Sequence, residues 1–373
     1  MQKLKICFIS REFPENCGGI GTYVYETARE LSKKAHDITI VTAKNEQLKR
    51  LSKVKFHFVD ELGFKKELRE FERALTIEAL MKKFKFDIIE CPEWGAEGLF
   101  LTDKNHCLTT RLHTPLFLVN QLQGQIFSND SFVKRLEREQ CENSISVSSP
   151  TIALKNIVES EWNIKVDKVI PNSLNVKEFT NGKLLNFESL GDYVLFLGRL
   201  EERKGIKEII KSLPSFFEEN NLFLVFAGSD SKLGKSKASE VISKTSKAFK
   251  VLGNARSLEK RSLIKNAKFV LLPSKWENMP YSCLESLALG KAVIGSKNSG
   301  FDEIITNEKN GLLVKPSNSN ELINACHRLL DNDFRKKIEK KAKKRSLDFD
   351  SRIICKKVED FFEFSIRKFN EGR

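Results

Sequence analysis

The chain has 373 residues, with 64 lysines and arginines against 50 aspartates and glutamates, and a formal net charge of +14 at pH 7. This length exceeds one typical hydrophobic core and is comfortable for two. Apolar runs reach only about six residues, whereas a spanning helix needs about twenty and a secretory signal an apolar core of 7 to 15, so neither is predicted.

Strand-like and helix-like segments alternate along the first half of the chain. Residues 6–10 predict a strand, which is followed by a Gly-rich turn, a helix over about 22–34 and a second strand at 37–42. Further strands are predicted at residues 86–90, 107–113, 144–148 and 168–173. This rhythm is typical of a parallel sheet covered by helices on both faces.

The second half repeats the same alternation after a polar linker at about residues 176–192. Its strands are predicted at residues 193–198, 222–227, 250–252, 269–272, 292–295 and 311–314. Two Rossmann-like halves follow from this pattern. Helices at about 320–332 and 351–368 end the chain.

Cysteines give no sign of cross-links or of zinc. The eight cysteines form no C-x-x-C pair and lie mostly within apolar segments. Reduced, buried thiols have this distribution. We therefore predict neither a disulfide nor a zinc site.

Gly18 and Gly19 belong to a glycine-rich turn after the first strand. The dinucleotide fingerprint G-x-G-x-x-G is incomplete, because its sixth position counted from Gly19 is Val24. Glycines here let backbone amides approach a phosphate at the head of the next helix, where the helix dipole favours negative charge. A phosphate-binding loop and a simple tight turn both fit this pattern.

Arg199 and Lys204 follow the strand at residues 193–198. Ligands of open α/β sheets collect at the carboxyl ends of strands, and two cations there would stabilise the charge that grows on a departing pyrophosphate. The alternative is a basic loop in which the neighbours Glu201, Glu202 and Arg203 neutralise one another. Of the three cations, Arg203 is the less favoured ligand.

Glu277 and Glu285 stand eight positions apart across a predicted strand-to-helix junction. Pro280 and Ser282 suit the first turn of the helix, which places Glu277 in the loop and Glu285 one turn inside. The five helical steps from Pro280 to Glu285 would span about 7.5 Å, comparable to the distance from a sugar across a phosphate to a ribose. First-turn amides would face the phosphates. Two unrelated surface glutamates are the alternative.

These segments together resemble, in order and spacing, the retaining glycosyltransferases of the GT-B fold, in particular glycosyltransferase family 4, the group 1 glycosyl transferases. The stretch from Glu277 to Glu285 resembles their E-x7-E motif. Residues 299–305, Ser-Gly-Phe-Asp-Glu-Ile-Ile, are similar to their G-G-x-x-E-[IL]-I stretch. The turn at 17–21 and the segment 196–205 complete the resemblance.

The resemblance implies an α/β chain of two Rossmann-like domains with a cleft between them. Residues 1–180 would form the acceptor-binding domain and residues 181–345 the nucleotide-sugar-binding domain. The terminal helix, residues 346–373, would return to the N-terminal domain. In similar enzymes the glycine loop closes over the diphosphate when the domains come together.

The same resemblance implies roles for individual residues. Glu285 would hold the ribose of the donor, Glu277 the hydroxyls of its sugar, and Arg199 with Lys204 its diphosphate. The catalytic set would be Glu277, His113, Arg199 and Lys204, and the substrate-binding set Gly18, Gly19, Arg199, Lys204, Asn278, Met279 and Glu285.

His113 and the loop after Glu277 depart from the family pattern. A lone histidine is more often structural, but relatives place one against the donor sugar, usually as H-[DG], whereas this chain has His113 followed by Thr114. Relatives also commonly have E-x-F-G, where this chain has Asn278-Met279-Pro280 after Glu277. The sequence therefore leaves the identity of the hexose open.

Neither a metal nor another cofactor is expected. Asp348-Phe349-Asp350 has the D-x-D form that metal-dependent transferases of another fold use, but it lies in the terminal helical region and far in sequence from the glycine loops. The resemblance implies that helix amides, Arg199 and Lys204 supply the positive potential in place of a cation.

The positive charge is compatible with anionic lipid, a phosphorylated acceptor or nucleic acid. Residues 333–345 are strongly basic but carry no aromatic stacking platform, so we predict a solvated helix face and no nucleic-acid partner. Residues 64–86 interleave aromatics with lysines, which fits either a membrane surface or a helix packed on a sheet. We expect a cytoplasmic protein, with peripheral contact at the inner face of the plasma membrane as an open alternative.

The resulting prediction is a retaining glycosyltransferase that moves a hexose-type sugar from a nucleoside diphosphate to a hydroxyl acceptor. The acceptor would be a glycan or lipid-linked glycan in cell-surface glycan synthesis. A nucleotide-sugar epimerase or hydrolase of the same architecture is the main alternative. A catalytically silent binding protein would not explain the full residue set.

Overall fold

The computed structural model describes residues 3–13, 18–44, 51–59, 69–102, 105–124, 130–233, 236–255 and 257–372. The chain divides into two units. Unit 1 comprises residues 1–173 and 351–373, and unit 2 comprises residues 174–350. The sequence had suggested divisions near residues 180 and 345.

The described strands of unit 1 form one seven-stranded sheet of order β3-β2-β1-β4-β5-β6-β7, with every neighbouring pair parallel. Its first six strands have the 3-2-1-4-5-6 order of a Rossmann fold. The strands are β1 (Lys5–Ile9), β2 (Asp37–Thr42), β3 (Val54–Phe58), β4 (Ile88–Pro92), β5 (Leu108–Arg111), β6 (Ser146–Ser149) and β7 (Lys168–Val169).

Six described helices belong to unit 1, numbered along the chain. They are α1 (Gly19–Lys33), α2 (Arg69–Met81), α3 (Leu116–Gln123), α4 (Asp130–Asn143), α5 (Ile152–Trp162) and α15 (Ser351–Glu371). Short 3-10 turns occur at Trp94–Ala96 and Leu99–Leu101. Helix α15 packs beside α1, and its buried Glu359 bonds His36 at 3.1 Å and Lys34 at 2.5 Å.

The main described sheet of unit 2 has six parallel strands in the order β12-β9-β8-β13-β14-β15. This is again the 3-2-1-4-5-6 winding. Strands β10 and β11 form a separate antiparallel pair. The strands are β8 (Tyr193–Leu197), β9 (Phe223–Ala227), β10 (Lys232–Leu233), β11 (Ser236–Lys237), β12 (Phe249–Gly253), β13 (Val270–Leu271), β14 (Val293–Ser296) and β15 (Leu312–Val314).

Nine described helices cover unit 2. They are α6 (Val176–Thr180), α7 (Ile206–Ser212), α8 (Pro214–Glu219), α9 (Ala238–Thr245), α10 (Ser257–Asn266), α11 (Tyr281–Ala288), α12 (Phe301–Ile304), α13 (Ser319–Leu330) and α14 (Asn332–Ser346). Further 3-10 turns lie at Glu188–Leu190, Glu202–Lys204 and Leu347–Phe349. Of the last two helices predicted from the sequence, α13 packs in unit 2 and α15 in unit 1.

Alternate residues along the central strands of unit 2 supply two separate cores. Phe196 and Phe226 pack into one core, and their neighbours Leu195 and Val225 pack into the other. A parallel sheet covered on both faces produces this alternation. In the part of the chain that the structure describes, no helix is both long and apolar enough to cross a bilayer.

The basic segment predicted at residues 333–345 is the helix α14. Its buried side includes Ile338, Ala342 and Ser346, whereas its lysines are exposed. This arrangement confirms the expected solvated helix face. The seven cysteines within the described residues are buried and none of them forms a disulfide there, while Cys17 lies outside those residues.

The winding order locates the ligand-binding edge of each unit. Strand order reverses between β1 and β4 in unit 1 and between β8 and β13 in unit 2. Open parallel sheets bind ligands beyond the carboxyl ends of their strands at such a point. The loops after β8 and β13 carry Arg199, Lys204 and Glu277, so the candidate residues of unit 2 lie where this topology places a ligand.

Candidate active site

The E-x7-E segment begins just after the short strand β13. Glu277 lies in the loop that follows, and Glu285 is the fifth residue of α11. Pro280 occupies the N-cap position, one place before the predicted first turn, and provides no side-chain cap for the helix. The first-turn amides of α11 therefore have no capping side chain at Pro280.

Glu277 is buried among polar side chains from the turn Glu202–Lys204 and from its own loop. The ammonium of Lys204 and the hydroxyl of Ser274 both donate to Oε1, the latter at 2.8 Å. Nη1 of Arg203 lies 3.8 Å from Oε2. Burial alone would raise the pKa of Glu277, but Lys204, Arg203 and Ser274 outweigh burial and lower it. The carboxyl group is therefore an anion at neutral pH.

Gly205 brings Lys204 within reach of Glu277. It has a φ of 81°, and a Cβ at this position would lie 2.1 Å from the carbonyl oxygen of Pro273. Only glycine permits this approach without strain. The turn Glu202–Lys204 consequently lies against the loop after β13, where Lys275 N–H also donates to the Arg203 carbonyl at 2.7 Å.

Arg199 and Arg203 differ in how far their side chains are exposed to solvent. Arg199 has 59% of its side chain exposed and lies 3.5 Å from Glu201, so its guanidinium faces solvent. Arg203, the less favoured cation, is mostly buried between Glu201, at 2.8 Å, and Glu277. Neutralisation by the adjacent Glu201 therefore describes Arg203. The partner of Lys204 is instead Glu277, which belongs to the loop after β13.

Glu285 has a different lysine partner from Glu277. It is buried, and Lys260 of α10 lies 2.5 Å from its Oε1. Helix α10 carries no sequence motif that would indicate Lys260. Its contact with Glu285 arises from the packing of α10 on α11.

Asn278 and Met279 serve the loop through backbone and core contacts. A Cβ on Gly300 would lie 1.1 Å from the Asn278 carbonyl oxygen, and the Gly300 N–H donates to the Glu277 carbonyl at 2.7 Å. Met279 packs into the apolar core of unit 2. Gly300, within the resemblance segment 299–305, thus fixes the backbone of the loop that carries Glu277.

In unit 1, Gly18 is the N-cap of α1. Its N–H donates to the Glu12 carboxylate at 2.8 Å, and its carbonyl accepts from Thr22 Oγ1 at 3.0 Å. A carboxylate at this amide is the kind of anion that a helix N-terminus favours. Gly19 begins α1, and an added Cβ there would meet no atom within 4 Å.

His113 follows β5 and is buried. Its backbone N–H donates to both carboxylate oxygens of Glu93 at 2.8 Å. Its ring packs edge-on against the ring of Tyr23, with 5.4 Å between the ring centres. Burial, aided by the charge of Arg111, holds the pKa of His113 well below its usual range. The imidazole is therefore neutral, and Tyr23 places it beside α1.

A buried polar layer that the sequence did not predict lies next to His113. The Tyr23 hydroxyl donates to Glu90 at 2.9 Å, and the Arg111 guanidinium stacks 4.5 Å from the Tyr23 ring while donating to Asn172 at 3.1 Å. Burial raises the pKa of Glu90 to about 7, although Arg111 and Tyr23 oppose the rise. Polar residues within strands gave no sequence pattern from which to expect this layer.

Two other sequence features have different outcomes. Asp348 pairs with Arg345 at 2.8 Å and Asp350 is buried; across the described ranges no group of three or more His, Cys, Asp or Glu could hold a metal ion. Residues 64–68 of the aromatic and basic segment lie outside the described residues, and its next part forms α2, where Phe71 and Leu75 are exposed.

Two parallel-sheet units with the same winding, one carrying paired glutamates and cations at its carboxyl edge, define the class as a GT-B α/β protein. Family models agree along most of the chain. "Glycosyltransferase Family 4" matches residues 17–178, and "Glycosyl transferases group 1" matches residues 183–345. The chain therefore belongs to the group 1 glycosyltransferases.

Individual proteins show the same likeness. An uncharacterized glycosyltransferase of Methanocaldococcus jannaschii is 28% identical, covering 91% of this chain and 93% of its own. The structure of sucrose-phosphate synthase from Thermosynechococcus elongatus has a TM-score of 0.82 at 18% identity, covering 97% and 98% of the two chains. HepE of Anabaena, solved with UDP-glucose, has a TM-score of 0.74 at 16% identity, covering 96% and 99%. These structures establish the shared fold.

Proposed function

We propose that this glycosyltransferase moves a hexose-type sugar from a nucleoside diphosphate to a hydroxyl acceptor with retention of anomeric configuration. The observation that carries the proposal is Glu277, an ionised carboxylate held by Lys204, Arg203 and Ser274 at the switch point of unit 2. The structural similarity to a UDP-glucose complex supports a nucleotide sugar as donor.

In this proposal Glu277 accepts hydrogen bonds from the hydroxyls of the donor sugar, and Glu285 accepts them from the ribose. Arg199 and Lys204 contact the diphosphate, where positive charge stabilises the leaving group as the glycosidic bond breaks. Lys204 is then shared between Glu277 and the phosphate. An ammonium has three donors, so one lysine can contact both anions.

The backbone at Gly18, Gly19, Asn278 and Met279 supplies the remaining donor contacts, and His113 lies against the sugar. A neutral imidazole at His113 donates or accepts a hydrogen bond without adding positive charge. We propose front-face displacement, in which the departing phosphate oxygen takes the proton of the acceptor hydroxyl while the new glycosidic bond forms. No metal or other cofactor is required, because the cations and helix amides supply the positive potential.

For the acceptor we propose a glycan or lipid-linked glycan used in cell-surface glycan synthesis. The net charge of +14 supports a substrate held at an anionic surface. We accordingly propose action at the inner, cytoplasmic face of the membrane.

A donor screen tests the proposal directly. Nucleotide sugars are screened by thermal shift, since a ligand at 100 times its Kd adds about 2.7 kcal/mol to the unfolding free energy. The stabilising donor is then incubated with hydroxyl acceptors, and the anomeric configuration of the product is read by NMR. Inversion would contradict the retaining mechanism, and rapid release of an epimer or free sugar without acceptor would favour an epimerase or hydrolase.

Calorimetry separates the roles of the two glutamates. Glu285→Ala should weaken binding of the free nucleoside diphosphate, because ribose contacts are shared by ground and transition states. Glu277→Ala should lower turnover while leaving that affinity nearly unchanged. The reverse pattern would exchange their assigned roles.

A further inference from the structure

Lys260 gives the second glutamate of the motif a partner that belongs to neither the motif nor the phosphate-binding loop. Its ammonium lies 2.5 Å from Oε1 of Glu285. Glu285 is only 4% exposed as a residue, whereas the Lys260 side chain is 29% exposed. The pair therefore has a buried carboxylate on one side and an ammonium that reaches solvent on the other.

The pair retains unused hydrogen-bonding capacity. Within the described part of the chain, Lys260 donates to Glu285 Oε1 alone, and Oε2 of Glu285 accepts no hydrogen bond. An ammonium carries three N–H donors, and a carboxylate offers about four lone-pair positions. Donors and acceptors are thus available side by side, about one hydrogen-bond length apart.

A vicinal diol complements this arrangement. One hydroxyl donates a hydrogen bond to the carboxylate, and the oxygen of the other hydroxyl accepts a hydrogen bond from the ammonium. An isolated carboxylate would also bind a diol, but through hydroxyl protons only. The ammonium gives the second hydroxyl a charged partner of its own.

We propose that Lys260 is a specificity-determining residue that, together with Glu285, recognises the 2′,3′-diol of the donor ribose and distinguishes ribonucleotides from deoxyribonucleotides. This inference rests on the proposed function, in which Glu285 holds the ribose. It assigns one hydroxyl to Glu285 and the other to Lys260. A simple counter-ion would instead affect the carboxylate without regard to which hydroxyl a nucleotide carries.

The test is a matrix of three proteins and three nucleotides. Wild type, Lys260→Met and the control Lys265→Met are titrated by calorimetry with UDP, 2′-deoxy-UDP and 3′-deoxy-UDP. Methionine retains the length of the apolar stem without the charge, and Lys265 is an exposed lysine on the same helix. ADP and its two deoxy forms are titrated in parallel, and the base series that wild type binds is compared.

Wild type should bind the ribonucleotide about tenfold more tightly than either deoxy form, since each loses a hydrogen bond to a charged group. Lys260→Met should lose discrimination against one deoxy form and keep it against the other, while Lys265→Met matches wild type. Equal weakening of all three nucleotides by Lys260→Met, with unchanged ratios, would overturn the inference and leave a counter-ion.

Failure of the underlying assignment is distinguishable. Glu285→Ala is titrated with the same nucleotides, and unchanged affinities would refute the ribose role of Glu285, whatever Lys260 does. Weakened binding in Glu285→Ala together with unchanged ratios in Lys260→Met would refute the Lys260 inference alone. Thermal unfolding of each variant establishes that it is folded before titration.

Discussion

Each glutamate of the E-x7-E segment is matched to a lysine from a different element. Lys204 comes from the turn after β8 and Lys260 from α10. Removing one partner of a buried pair leaves an uncompensated charge, so each variant is expected to lower stability, whatever its effect on binding. Binding measurements on this site therefore need a stability measurement beside them.

The exposed Arg199 and the partly buried Lys204 should both be needed for turnover. Replacing either with alanine should lower kcat at least about tenfold, because losing a charged contact in the transition state costs roughly 2 to 4 kcal/mol. Lys204→Ala should also lower the unfolding free energy, since Glu277 loses its partner, whereas Arg199→Ala should not. Lys207→Ala, which removes an exposed lysine bonded to Glu202, is the control. Wild-type rates in both variants would exclude this phosphate contact.

Glu90 should make the stability of unit 1 depend on pH. Burial raises its folded pKa to about 7 from an ordinary 4.5, so the folded state holds the proton more tightly. Its contribution is complete below about pH 4.5 and is lost as pH rises through about 7, by up to about 3 kcal/mol. Glu90→Gln, which carries no titrating proton, should flatten this part of the profile.

The pH dependence is measured as denaturant-unfolding free energy between pH 5 and 8 for both proteins. Glu93 has its own pKa raised to about 7 by burial and contributes a decline of the same sign, so the difference between the two profiles isolates Glu90. Parallel profiles would show that Glu90 does not titrate in this range.

At the scale of elements, the loop before α11 depends on its contact with the start of α12. Gly300→Ala would drive a Cβ to within 1.1 Å of the Asn278 carbonyl oxygen, so the backbone must move. We expect a loss of about 3 kcal/mol or more and a sharp fall in turnover, because Glu277 shares this loop. Chemical denaturation and donor turnover check the two effects.

Gly19→Ala is the matched stability control, since its Cβ would meet no atom within 4 Å. It should unfold close to wild type. Retention of both stability and turnover in Gly300→Ala would show that the loop tolerates the displacement.

Element type was predictable where apolar runs were long, and less so elsewhere. The strand predicted at 193–198 corresponds to β8 and the one at 37–42 to β2, because their side chains are buried. Strand β3 (Val54–Phe58) was missed because it pairs only with β2 at the sheet edge and is partly exposed. The predicted linker contains α6, whose N-cap is the Asn175 side chain.

The site was predictable along the chain but not across it. Glu277, Lys204 and Arg199 stand in motifs that spacing reveals, whereas Lys260 and Ser274 act through bonds created by packing. Arg203 is the less favoured ligand in the sequence, yet in the structure it lies between Glu201 and Glu277. Side-chain direction within a short turn is a property of tertiary structure that spacing does not fix.

At the scale of the whole molecule, the net charge of +14 should make the protein bind to anionic lipid surfaces. The protein should bind vesicles containing anionic lipid at low salt and be released at high salt, at about 1 kcal/mol for each lysine or arginine near the surface. Neutral vesicles should bind poorly. Cosedimentation at two salt concentrations measures this.

Two paired variants identify the surface responsible. Phe71→Ser with Leu75→Ser removes exposed apolar side chains of α2, and Lys336→Glu with Lys340→Glu reverses exposed charges on α14. We expect the α2 pair to reduce binding at least as much, because insertion needs apolar side chains as well as charge. Negligible binding to both vesicle types would favour a soluble acceptor and leave the donor site unaffected.

The return of α15 to unit 1 sets an order of events during synthesis. Unit 2 is one continuous stretch of chain and emerges whole, whereas unit 1 is interrupted by all of unit 2. Phe362 packs against Phe8, and Glu359 bonds His36. Both residues are synthesised only after residues 174–350. During translation unit 1 thus waits with that side of its sheet uncovered while unit 2 can already fold, and a nascent chain stalled before residue 351 presents apolar surface that chaperones recognise.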